Sequence, residues 1–420
     1  MNSSVTPNMQ TRSPRSRSGL RSLLLAVAGL GMWSTSVAHD VAAEPVPETP
    51  GWRIGAGVAV TAIGAKDPIP SATLPGILDT GQNATDQRGL GLEHAVIGAG
   101  LRVNDIFGAN FAVGWHADES AHLEAAWVQA RWATEAALLT LGAGRDKVPM
   151  GRVLTDVGDF GRFSLIPLVK RASVNNDWYD EGVVLAWRGD ADSLLRSVDL
   201  GVWRGTGFPG GGDLPLVPSL HVQLAYADVE LDGFFAYLQP TGRGTYARAD
   251  KNTGHTHSVP NCEVSLAGLV CFDGRVNVLG GSLAWAPHAW PVVVNAAVLW
   301  RDEQGSLYSQ NGDARYHGKT LGGWIDAVWD WRENWQLAAR FEALSATQDL
   351  SGPGAALVAG EAGLVPNWPA RRLTAALAYS PDPAWRLSAE IGSERTGGNN
   401  NPFVMLRAVW TAPWLLSGSW

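Results

Sequence analysis

The sequence predicts an all-β chain closed into a membrane-spanning antiparallel β-barrel of about sixteen strands. Three observations predict it. From Trp52 onward the chain repeats one unit: about ten residues of alternating apolar and polar character, then a turn. The connections alternate in kind, short then long, as expected of short periplasmic turns and long extracellular loops. Tryptophan, 20 residues in 420, gathers at the predicted strand ends. There an apolar ring with a polar N–H suits the membrane surface.

The N-terminus sets the expected compartment. Arg12, Arg15, Arg17 and Arg21 precede a short apolar core, Leu23 to Trp33, and Ser36-Val37-Ala38 fits a small-x-small cleavage site. Residues 1–38 are therefore expected to be a secretory signal peptide, cut after Ala38, and too short to anchor the chain. Residues 39–51 are acidic and Pro-rich and read as a mobile tail. Without the four Arg of the leader, 28 basic residues face 40 acidic ones, a net charge of −12. That balance excludes a nucleic-acid partner, which needs a basic surface.

The alternation then gives the strands in order. Along Trp52 to Ala62, the side chains of Ile54, Ala56, Val58, Val60 and Ala62 share one face. Leu92 to Arg102, Phe107 to His116, His122 to Trp132 and Ala136 to Gly144 follow. The later strands are expected at Gly182 to Trp187, Ser197 to Arg204, Ser219 to Ala227 and Val229 to Leu238. Then come Arg275 to Ala286, Pro291 to Arg301, Thr320 to Trp331, Trp335 to Ala346, Arg372 to Tyr379, Trp385 to Glu394 and Pro402 to Ala412. The barrel is thus expected over 52–412, with 413–420 as a C-terminal tail. Either Trp410 or Trp420 could be its aromatic end.

Tight turns are read at Val103 to Asp105, Ala133 to Glu135, Asp228, Pro287 to Trp290, Arg332 to Asn334 and Pro381 to Pro383. The long connections are expected at 63–90, 145–181, 205–218, 239–274, 302–319 and 347–371. One tryptophan belt, on the periplasmic side, takes Trp52, Trp132, Trp187, Trp290, Trp331, Trp335, Trp385 and Trp410. The other takes Trp115, Trp203 and Trp300.

The two faces of the strands differ sharply. Val292, Val294, Ala296 and Val298, or Leu387, Ala389 and Ile391, form an apolar face. The opposite face carries Arg53, Arg131, Glu230, Asp232, Asp326, Arg340, Glu342, Arg386, Glu390 and Arg407, the expected lumen wall. A soluble barrel has its apolar face inside, so this pattern is inverted and its interior wet. About sixteen strands leave room for an aqueous channel.

Gly144 to Glu181 is the connection most charged with function. A loop this long is uncommon in a compact fold and is usually functional or disordered. It carries Arg145, Lys147, Arg152, Arg162, Lys170 and Arg171, and is expected to fold into the barrel mouth as a constriction. Cys262 and Cys271 lie close together in a polar stretch of an exported chain, so a disulfide is expected. His255 and His257 fall short of the four ligands of a structural zinc site and read as solvated. No cofactor, metal or catalytic group is expected. No G-x-S-x-G occurs, and Gly210-Gly211-Gly212 lacks the Lys and helix of a phosphate loop.

Gly142 to Arg152 (GAGRDKVPMGR), the pair Lys170-Arg171, Asp180 to Trp187 (DEGVVLAW) and the closing NPFVMLRAVW resemble the phosphate-selective porin O and P family of Gram-negative outer membranes. About a tenth of the chain carries that resemblance. It implies a trimeric outer-membrane channel for small ions or polar solutes, set in lipid and lipopolysaccharide. The basic loop adds a mild anion preference as an expectation, against the acidic overall charge. A barrel hydrolase and a closed structural or adhesion barrel are the alternatives.

Overall fold

The computed structural model describes residues 46–67, 69, 89–116, 121–158, 160–211, 216–246, 260–364 and 369–420. The expected leader, the tail to residue 45, Asp159, His255 and His257 lie outside these residues. The strands are β1 (Gly51–Ala65), β2 (Gly89–Arg102), β3 (Phe107–Trp115), β4 (His122–Ala133), β5 (Ala137–Lys147), β6 (Tyr179–Gly189), β7 (Leu195–Trp203), β8 (Val217–Tyr226) and β9 (Val229–Leu238). A short β10 (Arg243–Tyr246) precedes β11 (Leu269–Trp285), β12 (Val292–Ser309), β13 (Gly312–Arg332), β14 (Trp335–Ser351), β15 (Ala370–Tyr379), β16 (Trp385–Thr396) and β17 (Asn399–Gly418).

Each strand pairs antiparallel with the next, except that β9 pairs directly with β11, and the short β10 pairs with the first residues of β11 beyond the end of β9. β1 pairs with both β2 and β17, which closes a barrel of sixteen strands. Closure leaves no open edge, as a sheet that crosses a bilayer requires.

The alternating pattern faces the way the sequence implies. Val298, Ile325, Leu373, Leu387, Ile391, Val404 and Leu406 stand exposed on the outside. Asp326, Arg340, Glu342, Glu390 and Arg407 are buried inside. An apolar surface that runs right round the molecule is far larger than an aqueous surface carries, and it suits lipid. Trp132, Trp290, Trp331 and Trp385 are exposed near the turn end of the wall, as a belt requires. Trp203 is the exception: it is fully buried, its N–H donates to Ser219 Oγ at 2.9 Å, and its ring lies 6.2 Å from Trp127.

Turn chemistry fixes the short connections. Asn104 Oδ1 accepts from the N–H groups of Ile106 and Phe107 at 3.0 and 2.8 Å, a side-chain mimic of a backbone turn. β16 and β17 are joined by Gly397-Gly398, both at positive φ, which the tightest hairpins require.

Several boundaries differ from the sequence reading; β11 starts six residues early, at Leu269, and β14 runs on to Ser351. The stretch 302–319 is not a loop: β12 and β13 continue to Ser309 and Gly312 in unbroken register. Leu307, Ala314 and Tyr316 are buried on that extension, so it has a core of its own. β17 continues past Ala412 to Gly418, where Trp52 pairs with Gly418, so 413–420 is mostly wall rather than tail. The described end of the leading segment is held, not loose. Arg102 Nε donates to Pro47 O at 2.8 Å, and Arg131 donates to Glu48 O.

Cys262 and Cys271 form a disulfide beside β10. The same segment is also tied by Cys262 N–H to Gly242 O and Gly244 N–H to Pro260 O, both 2.8 Å. Closing so short a loop contributes roughly 3 kcal/mol at most. Cys271 sits at the start of β11, paired with Tyr308 of β12, and the register of that pair is held by backbone hydrogen bonds independent of the disulfide. The C262S/C271S double variant should still give the heat-modifiable folded band of the wild type on a gel. Its absence would make this segment part of the wall's assembly.

Candidate functional site: the loop folded inside the barrel

Between β5 and β6 the chain turns into the barrel. Residues 148–178 carry two short helices, α1 (Arg152–Thr155) and α2 (Leu168–Val174). Val148, Met150, Leu154, Leu168, Val169, Val174 and Trp178 are buried in one cluster with Phe234, Leu238, Val276, Val278, Leu299, Trp324 and Leu344 of the wall. The inner face of β9 to β14 is thus partly apolar. Each such side chain contributes about 1.5–3 kcal/mol through burial. Gly151, at φ 93°, lets the backbone lie against Asp232, whose carboxylate carbon a Cβ would meet at 2.6 Å.

The other half of the loop is caught by its backbone. Arg407 donates to Gly161 O at 2.6 Å, Arg340 to Leu165 O at 3.0 Å and Arg372 to Ile166 O at 2.6 Å. Arg301 donates to Ala172 O. Carboxylates take the N–H side. Leu168 N–H donates to Glu342 at 2.8 Å, and Ser164 donates to Glu390 from N–H and Oγ at 2.9 and 2.7 Å. The Arg340 guanidinium also lies 4.1 Å from the Phe163 ring centre.

The holders are themselves paired. Arg372 makes two bonds to Glu342, at 2.9 and 2.8 Å, and lies 3.6 Å from Glu394. Arg340 lies 3.7 Å from Asp326, and Arg407 grips Glu93 with two nitrogens. Charges this deeply buried persist only when paired and hydrogen-bonded.

This arrangement revises the expected lumen wall. Arg340, Glu342, Glu390 and Arg407 face inward but lie beneath the loop, and they hold it instead of lining open space; Asp326 is buried beside Arg340 and accepts from Asn295. Asp232 is covered too; it accepts from Ser282 Oγ at 2.9 Å and sits 3.0 Å from His221 Nε2. Arg386 is buried and donates to Gln336 at 3.1 Å. Arg131 serves the turn end of the barrel, donating to Asp105 O and Glu48 O. Arg53 stacks 4.7 Å over Trp414. Glu230 stays partly open, accepting from Gln223 at 2.9 Å and Arg152 at 3.2 Å.

The six loop cations also divide. Arg145 shares the outward side of β5 with Leu139 and Leu141; it donates to Leu123 O at 2.9 Å and lies 3.8 Å from Glu181. It is therefore not a constriction residue. Lys147 and Lys170 both close on Asp177, Lys147 at 3.2 Å, and are themselves buried. Arg171 is buried in α2. Arg162 lies among Asp326, Asp330 and Arg340, and burial holds its pKa below the ordinary arginine value while Asp326 pulls it back. Arg152 is the open one, with 37% of its side chain exposed.

Beside the start of the loop is a cavity of about 280 Å³, lined by Trp127, Gln129, Thr140, Asp146, Lys147, Arg188 and Asp199 among others. Arg188 is 45% exposed there and bonds Asp199 at 2.6 Å. Sequence reading missed Arg188, and also Arg301, Arg372 and Glu93. For the three arginines the available signal was their position on inward faces, opposite a loop with many backbone groups to satisfy; Glu93 sits at a bulge, which alternation does not reveal.

No family model matches the chain, and no curated protein does. Solved structures do. OmpT of Vibrio cholerae in its trimer form superposes at a TM-score of 0.55 with 10% identity, over 86% of this chain and 100% of that one. OprB of Pseudomonas putida gives 0.54 at 10% identity, over 86% and 94%. An anion-selective porin from Comamonas acidovorans gives 0.51 at 10% identity, over 86% and 99%. At such identities the likeness establishes the outer-membrane barrel fold.

Arg372→Ala removes a buried pair and a backbone anchor together. Breaking a buried pair from one side costs about 3–5 kcal/mol. The variant should unfold at lower denaturant and expose Lys170-Arg171 to trypsin, while Arg53→Ala does neither. Equal trypsin resistance in both would mean that the wall arginines do not hold the loop.

Proposed function

We propose that the protein is an outer-membrane porin: a diffusion channel for small ionic or polar solutes, narrowed from within by residues 148–178. The observation that carries this reading is the loop, anchored across the inside of a closed sixteen-strand wall whose outer surface is apolar. A barrel of that size without the loop would be wide enough for an open aqueous lumen. The loop reduces the width and brings chosen side chains close to whatever passes.

Export by the signal peptide, cleavage after Ala38 and seating in outer-membrane lipid and lipopolysaccharide belong to the same proposal. So does assembly as a homotrimer, which the trimer form of the Vibrio cholerae neighbour supports by analogy. The motif resemblance around Gly142 to Arg152 and Asp180 to Trp187 supports a place near the phosphate-selective porins.

A mild anion preference follows from which charges stay open. Lys147 and Lys170 spend their charge on Asp177, and Arg145 faces outward. The wall carboxylates Glu342 and Glu390 are spent on Arg372 and on the loop. Arg152 and Arg188 are paired with Glu230 and Asp199 but are each more exposed than their partner, so the positive member of each pair faces the open space. Distant charges are screened beyond about 8 Å at physiological salt. Charges beside a narrow, poorly hydrated path act more strongly.

Planar-bilayer recording tests this reading. The wild type should conduct, with a reversal potential in a KCl gradient that favours chloride. The Arg152→Gln/Arg188→Gln variant should move that potential toward potassium. A protein that does not conduct refutes the channel; an unmoved potential places both arginines off the path.

A further inference from the structure

Two β-bulges sit side by side near the long-loop end of β2 and β4. Against β1, Ala59 pairs with His94 but Val60 pairs with Leu92, so Glu93 is an extra residue. Against β3, Ala112 pairs with Ala125 but Val113 pairs with Leu123, so Glu124 is extra. A bulge re-aims a side chain that strict alternation would send the other way. Glu93 and His94 therefore both serve the inside, and so does Glu124 above Ala125.

The result is a compact group of three imidazoles and one carboxylate. His94 comes from β2, His116 from the end of β3, and His122 and Glu124 from β4. Ring nitrogens of the three histidines all lie within 4.8 Å of one another. His94 Nε2 is 2.6 Å and His122 Nε2 3.4 Å from the same oxygen, Glu124 Oε1. His116 and His122 stack with their rings 2° from parallel. His94 and Glu124 are nearly solvent-free, at 2% and 3% exposure.

The surroundings fit a cation. His116 Nδ1 lies 2.7 Å from Glu93 O, and a carbonyl only accepts. Nδ1 therefore carries the hydrogen, and in the neutral ring Nε2 carries the lone pair. A metal-binding histidine is commonly oriented in just this way by its other nitrogen. Gly114 faces the group: a Cβ there would meet Glu124 Oε1 at 2.1 Å and His94 Nε2 at 2.8 Å, so only glycine leaves the space. Four N and O donors of this kind, gathered by strands, suit zinc-like ions.

We propose that His94, His116, His122 and Glu124 bind a borderline divalent transition cation, Zn²⁺ foremost, inside the barrel wall. Zinc bonds of about 2.0–2.1 Å in a tetrahedral site set the ligand atoms roughly 3.3–3.4 Å apart. His122 and Glu124 already stand at that distance, His94 and Glu124 open by less than an ångström, and the histidine nitrogens close from within 4.8 Å. Phe160, from the inward loop, packs 5.3 Å from the His94 ring. The bound ion would thus lie where the loop meets the wall. This departs from the sequence expectation of no metal, which weighed only the pair His255 and His257.

The test uses the untagged full-length protein in detergent, stripped with chelator and titrated with Co²⁺, then with Zn²⁺ as competitor. The wild type should bind one Co²⁺ per chain with the visible absorption of a four-coordinate site, and Zn²⁺ should bleach it. His116→Ala, half-exposed at a strand end, should abolish the band, and Glu124→Gln should weaken binding about tenfold or more. Heat-modifiability on a gel checks that each variant is folded. A His255→Ala/His257→Ala variant should bind as the wild type does. No visible band in the wild type, or a band that survives His116→Ala and vanishes in the His255/His257 variant, would overturn the proposal.

Discussion

The capture of the loop backbone by charged wall side chains is the interaction on which the rest depends. Residues 148–178 bring carbonyl and N–H groups into an enclosed lumen, and an unpaired buried backbone group is costly. Arg301, Arg340, Arg372 and Arg407 supply donors; Glu342 and Glu390 supply acceptors. These side chains come from consecutive neighbours β14 to β17 and from β12, so the loop is fastened along an arc of wall. The opposite requirement, apolar burial, is met on β9 to β14. One segment therefore has a greasy edge and a polar edge, and the wall is patterned to match both.

This explains an inside that is neither wet throughout nor dry throughout. The wall charges are numerous because they must serve the loop and one another. Arg372 alone faces Glu342, Glu394 and the Ile166 carbonyl. Partly open charge is left at Arg188, which lines the cavity, and at Arg152 beside Glu230. The bulges at Glu93 and Glu124 extend the same logic to β2 and β4. Glu93 takes Arg407 and Thr61, and Glu124 takes two histidines.

Much of the wall was legible because strand periodicity is a local property. Ile391 out and Glu390 in, or Val298 out and Asn295 in, follow from alternation alone. The turn at Asn104 and the pairing of Cys262 with Cys271 were legible for the same reason. Strand length was not: β12 and β13 go on past Arg301 because Leu307 and Tyr316 find a core, which only the neighbouring strands reveal. Bulges were not legible either, since one extra residue leaves composition unchanged and reverses facing. That is why the grouping of His94, His116 and His122 is invisible in the sequence. The loop's cations misled in another way. Their number was plain, but Asp177 claims two of them, and Arg145 belongs to the strand's outward side.

The central claim is that residues 148–178 set the width of the path. The most direct measurement is single-channel conductance of the wild type against a variant in which 150–176 is replaced by a short Gly-Ser link between β5 and β6. The account predicts a variant that folds and conducts several times more current per opening at the same voltage and salt. A folded variant with unchanged conductance would contradict it, because the narrowest point would then lie elsewhere.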